Sequence, residues 1–218
     1  MKIKHRLNFL YIPIAISCIA TLFIYSSLPD LVPTHWNAAG EIDTYKPRYF
    51  VFLTGLLPAL FVFLFTIIPS IDPKSENYKK HQKAYEITAL YVVLFILVIH
   101  WFCILASFGM MLHIDIFIRV LIGALFIIIG NYLPQAKQNY TYGIRTPWTL
   151  DNNEVWEKTQ HIGGRGFIIS GIIIIFSVFF SAKIAFWMDA VTITSLVLLI
   201  FIYSYVTYSK IDNREGDE

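Results

Sequence analysis

Charge is what this chain has least of. Lysine, arginine, aspartate and glutamate make up 15% of its 218 residues, where a soluble domain carries about 25%. With 56% hydrophobic residues and a mean hydropathy of +0.60, it cannot keep its surface in water, which excludes a free soluble domain. Cysteine is scarce too. Cys18 and Cys103 both lie in apolar runs, which excludes a disulfide framework and makes them buried thiols. The residues before Cys18 faintly resemble a lipoprotein processing site, but the apolar run continues to Ser26, too long for a signal-peptide core. The first helix is therefore expected to stay. Also missing are a paired glutamate or histidine motif on a span, a nucleophile elbow and a phosphate-binding glycine loop. Gly163, Gly164 and Gly166 stand at the entry of an apolar run with no strand before them. No catalysis, no nucleotide fold, no cofactor and no direct contact with nucleic acid is expected.

What is there is hydrocarbon-loving sequence in long runs. Six can be drawn, at 8–28, 49–68, 87–111, 116–133, 167–184 and 187–208, each near the roughly 20 residues that cross a bilayer. The expected class is an all-α membrane protein of six transmembrane helices in contact with membrane lipids. Lysine and arginine divide thirteen to three between alternate connecting segments, with Arg119 inside a span. Positive segments stay in the cytoplasm, so both termini are expected inside. The chain then divides into a two-helix region at 1–70 with an outer loop at 29–47, a cytoplasmic linker at 71–86, a four-helix region at 87–208 with an inner loop at 134–164, and a charged tail at 209–218, disordered from Ile211 on.

Recognition in such a chain belongs to its two polar loops. In the outer one, Pro29 and Pro33 stop the first helix, residues 37–40 supply turn chemistry, and His35, Trp36, Asn37 and Gly40 are the candidates for touching an extracellular ligand. His35, Glu41 and Asp43, with His113 and Asp115, match no metal-ligand spacing. In the inner loop, Arg145 can bind a carboxylate or phosphate, or satisfy carbonyls of its own loop. Asp151 and Glu154 read as a cap for a short amphipathic helix near 151–162, lying at the inner interface and stopped by Gly163-Gly164, with Trp156 on its apolar face. His161 reads as a charge at that helix's C-terminal end. His100, mid-span, is a functional candidate by its depth or one interhelical hydrogen bond. Arg119 and Asp115 are spaced as an i, i+4 pair. Gly166 and Ser170 form a small-xxx-small pair.

The two loops together carry a family resemblance. Leu28-Pro29-Asp30, Pro33-Thr34-His35-Trp36-Asn37 and Gly40 resemble the domain of unknown function numbered 1648. Gly130-Asn131-Tyr132-Leu133-Pro134, Gly143-Ile144-Arg145-Thr146-Pro147-Trp148-Thr149-Leu150, Val155-Trp156, His161 and Gly164 resemble the signature of the SdpI immunity proteins. The resemblance implies a membrane receptor that protects against a secreted antimicrobial peptide toxin and, with toxin present, holds a cytoplasmic repressor at the membrane. By this resemblance Asn131, Tyr132, Gly143, Arg145, Thr146, Pro147, Trp148, Trp156 and His161 form the surface for the cytoplasmic partner.

A competing expectation is a small transporter. Two sets of three spans have opposite topology, and each has a proline-containing polar loop between its first two spans, as inverted repeats do. The spans, however, offer no evident acidic relay for a proton or sodium path. An intramembrane enzyme would need an outward-facing pocket with two or more close titratable groups.

Overall fold

The structure, a computed structural model, describes residues 7–37, 39–110 and 113–215. It runs α1 (Tyr11–Ile24), β1 (Leu31–Trp36), β2 (Ile42–Pro47), α2 (Phe50–Ile71), α3 (Asn77–Lys80), α4 (Gln82–Ser107), α5 (Ile114–Tyr132), α6 (Pro147–Asp151), α7 (Asn153–Phe176) and α8 (Ala182–Glu215). Among the described residues, six helices are long and apolar enough to cross a membrane: α1 with its flanking turns, α2, α4, α5, α7 and α8. The six expected spans are all present.

Their boundaries depart from the sequence reading in instructive places. The third helix already begins at Gln82 and ends at Ser107; Met111, the expected end, lies outside the described residues. Within segment 151–162, Asp151 ends α6, Asn152 is extended and residues 153–162 are helical, but they are not a separate interfacial helix. They open α7, which passes through Gly163-Gly164 without a break. Glycine costs a helix only about 1 kcal/mol, whereas a break inside a bilayer leaves backbone groups unpaired at several kcal/mol each. The cap at its start is Asn152, whose side chain accepts from the N–H groups of Glu154 and Val155, and not Asp151. His161 is consequently mid-helix rather than at a C-terminus. Within the expected disordered tail, α8 continues to Glu215; residues 216–218 lie outside the described set.

The outer loop is a β-hairpin, the one sheet among the described residues. Val32 pairs with Lys46 and Trp36 with Ile42, with irregularities around His35. An isolated hairpin is marginal in water. Here Val32 anchors it, buried with Leu28, Val51 and Ile104 and flanked by Tyr25 and Trp101. The turn is an Asx turn: Asn37 Oδ1 accepts from Ala39 N (2.9 Å) and Glu41 N (3.0 Å). Gly40 completes it with φ +80°, in the left-handed region that glycine tolerates.

Two packed groups make up the bundle. In the first, α1, α2 and α4 surround Ile14, Val62, Ala89, Val93 and Leu97. His100 joins them, with Nε2 3.0 Å from Thr21 Oγ1 and Nδ1 2.9 Å from Thr54 Oγ1. Both ring nitrogens are used between helices, so His100 has a structural role. In the second, α5 and α7 touch backbone to backbone. A Cβ on Gly130 would lie 2.5 Å from Gly164 O, and one on Gly123 2.6 Å from Gly171 O. Gly166 faces Leu196 of α8 and Ser170 is buried, so that pair serves packing within the chain.

Candidate functional site

The loops lie at opposite ends of the bundle. The hairpin joins the end of α1 to the start of α2, while residues 133–152 join the end of α5 to α7. They differ in kind: the inner one is a knot, the outer one the roof of a cleft.

The inner loop is tied to the linker between α2 and α4. Asp72 Oδ2 accepts from Tyr140 N (2.9 Å), Thr141 Oγ1 (3.2 Å) and Tyr78 OH (3.2 Å). Tyr78 also contacts Thr141, and burial pushes its phenol upward. Buried Asn139 holds both sides of its own turn, accepting from Tyr142 N (2.6 Å) and donating to Tyr142 O (2.8 Å). Gln160 does the same for Ile144, accepting from its N–H and donating to its C=O, both at 2.9 Å. His81 stacks on Tyr142 with centroids 5.5 Å apart, and its Nδ1 accepts from Lys137 N (3.1 Å). Burial pulls its pKa down to about 4; nearby Asp72 opposes that shift and Lys137 adds to it. The linker and loop partners Asp72, Tyr78, His81, Asn139 and Gln160 escaped the sequence reading. They stand in three separate stretches of chain, and only the fold brings Asp72 and Tyr78 to Tyr140 and Thr141, and Gln160 to Ile144.

The expected partner-binding residues are not one surface. Trp156 is 0% exposed and donates Nε1–H to Ala136 O at 2.7 Å. Thr146 is buried and caps α6 through a capping box with Thr149. Gly143, φ +107°, lies against Gln160 and Trp156. Trp148 packs on Phe201 and Tyr205 of α8, and Tyr132 is half-buried. Asn131, Arg145, Pro147 and His161 are exposed; Arg145 donates to Tyr140 O at 2.6 Å.

The outer residues do come together. His35, Trp36, Asn37 and Gly40 line one cleft of about 370 Å³ with Ile114, Asp115, Ile118, Arg119, Ile122, Phe186 and Asp189. Gly40 sits on Asp115, where a Cβ would be 3.0 Å from the Asp115 Cβ. His35 Nδ1 is 2.6 Å from Asp43 Oδ1, a bond that holds the Asp43 carboxyl below its usual range. The floor carries charge. Arg119, with 10% of its side chain exposed, donates Nε–H to Asp189 Oδ2 at 3.0 Å and lies 3.7 Å from Asp115 Oδ2. Asp189 lies inside the last span, so the spans do hold an acidic residue that the sequence reading passed over. Its place next to Trp187 and Met188 hid it, since no spacing links α8 to α5.

Fold and site define a multi-pass helical membrane protein of the cell membrane, with a knotted loop at one end and a charged cleft at the other. Residues 135–208 match the SdpI/YfhL protein family and residues 12–65 the domain of unknown function DUF1648. The two matches stand in the order in which the two loops occur along the chain. The chain is 24% identical over 199 residues to "Immunity protein SdpI" of Bacillus subtilis (strain 168), covering 91% of this chain and 94% of that protein. No solved structure matches it.

Proposed function

We propose that the chain is an immunity receptor. It binds a secreted antimicrobial peptide at the outer cleft, protects the cell that carries it, and presents Arg145 and its exposed neighbours to a cytoplasmic repressor. The observation that carries this reading is the gathering of His35, Trp36, Asn37 and Gly40 around one cleft, at the end of the bundle opposite the SdpI-type loop. Similarity to an immunity protein over nearly the whole length supports it. Both termini are cytoplasmic in this reading, since the positive segments lie at the end of the bundle that carries the knot. The protein binds rather than catalyses. Among the described residues lining the cleft there is no serine, threonine or cysteine; Arg119 pairs with Asp189 and Asp115, and His35 with Asp43 beside the cleft.

The test is expression in a toxin-sensitive bacterium challenged with a panel of secreted antimicrobial peptides. Wild type is expected to raise the tolerated concentration of at least one peptide. Trp36→Ala should cancel that gain, and Arg145→Ala should keep it while releasing the repressor. No protection by wild type against any peptide overturns the proposal.

A further inference from the structure

A buried ion pair is seldom kept for stability, because apolar residues of similar volume often serve as well or better. Charge within a membrane span marks a site. Here the described residues lining the cleft present two carboxylates, Asp115 and Asp189, against one guanidinium, Arg119, while His35 is engaged by Asp43. Asp189 Oδ2 takes the Arg119 Nε–H, but its Oδ1 is buried with no hydrogen-bond partner. A buried acceptor left without a donor needs an explanation. The walls are apolar and aromatic: Ile114, Ile118, Ile122, Phe186 and Trp36. An excess of negative charge beside aromatic faces is the chemistry that recognises an organic cation. A metal ion needs a tighter set of ligands, and among the described residues no three of His, Cys, Asp and Glu gather to form one.

We propose that the floor of the outer cleft binds a primary ammonium group, the N-terminus or a lysine of an apolar peptide, seated between Asp189, Asp115 and the rings of Trp36 and Phe186. This rests on the peptide-binding reading above and names the feature of the peptide that is recognised. The ammonium supplies the donor that Asp189 Oδ1 lacks and balances the charge of the floor. Isoleucine side chains and the two rings take the neighbouring apolar residues.

The experiment is calorimetric titration of the full chain in nanodiscs, with empty nanodiscs as blank. Three probes are used: Ala-Leu-Ala amide with a free N-terminus, its N-acetylated form, and N-acetyl-Ala-Lys-Ala amide. At least one ammonium-bearing probe should bind about tenfold or more tighter than the acetylated neutral peptide, and which one does so tells N-terminus from lysine. Asp189→Asn should remove that preference. Because it also disturbs Arg119, a second pair leaves the charges alone: Trp36→Phe should keep the preference and Trp36→Ala weaken it. Equal binding of neutral and charged probes, no binding of either charged probe, or an unchanged preference in Asp189→Asn overturns the proposal. Protection in cells without ammonium preference overturns this site alone. Ammonium preference without protection supports the site and overturns the immunity reading.

Discussion

At the scale of single residues, the inner loop is held by side chains that turn back on the backbone. Asp72, Asn139 and Gln160 satisfy N–H and C=O groups that an irregular loop would otherwise bury unpaired. His81 makes this knot sensitive to acid. Its pKa is about 4 in the fold, mainly through burial, against an ordinary value of 6.5. A depressed histidine favours the folded state above its unfolded pKa. That contribution is fully present above pH 6.5, shrinks as the pH falls from 6.5 toward 4, and is gone below. At 1.36 kcal/mol per unit the whole loss is on the order of 3 kcal/mol. His81→Asn can keep the acceptor for Lys137 N but cannot titrate. Thermal melts of the purified protein should show the wild-type midpoint falling through that window and a flatter profile in the variant. Parallel curves would remove His81 as the cause.

At the scale of elements, the contact between α5 and α7 depends on having no Cβ. Gly130 and Gly123 meet the backbone oxygens of Gly164 and Gly171, whereas Gly166 meets the ends of the Leu196 and Leu199 side chains. A backbone cannot step aside as a leucine methyl can. Gly130→Ala should therefore destabilise by about 3 kcal/mol or more, and Gly166→Ala by about 1 kcal/mol, read as midpoint shifts in the same melts; equal shifts would refute the backbone contact. The six spans were legible because a bilayer demands apolar runs of fixed length. The course of α7 was not, because Gly163-Gly164 has the local signature of a stop and only the partner helix shows why the helix goes on. The hairpin was hidden for a similar reason: Pro33 and Pro47 argue against a strand, and Val32 becomes an anchor only once Ile104 and Val51 are beside it. His35, Trp36, Asn37 and Gly40 could be picked from their loop, but the floor beneath them comes from α5 and α8, seventy residues apart at Arg119 and Asp189.

At the scale of the whole molecule, the reading needs the cleft outside and the knot inside. The fold separates the two along the bundle, and the distribution of lysine and arginine gives the direction. The described residues near the knot include Lys74, Lys79, Lys80, Lys83, Lys137, Arg145 and Lys158; the hairpin side has Lys46, Arg48 and Lys183, with Arg119 in the span beneath it. Cysteine labelling tests this directly, since Cys18 and Cys103 both sit within spans. In a Cys18→Ser, Cys103→Ala background, Lys46→Cys lies on the exposed strand β2 and Asn153→Cys at the exposed start of α7. A membrane-impermeant maleimide should label the first in intact cells and the second only after lysis. Both labelled in intact cells would place hairpin and knot on one side, contradicting the bundle itself. The reverse pattern would keep the bundle but invert it, moving the charged cleft to the cytoplasm and leaving a secreted peptide nothing to bind.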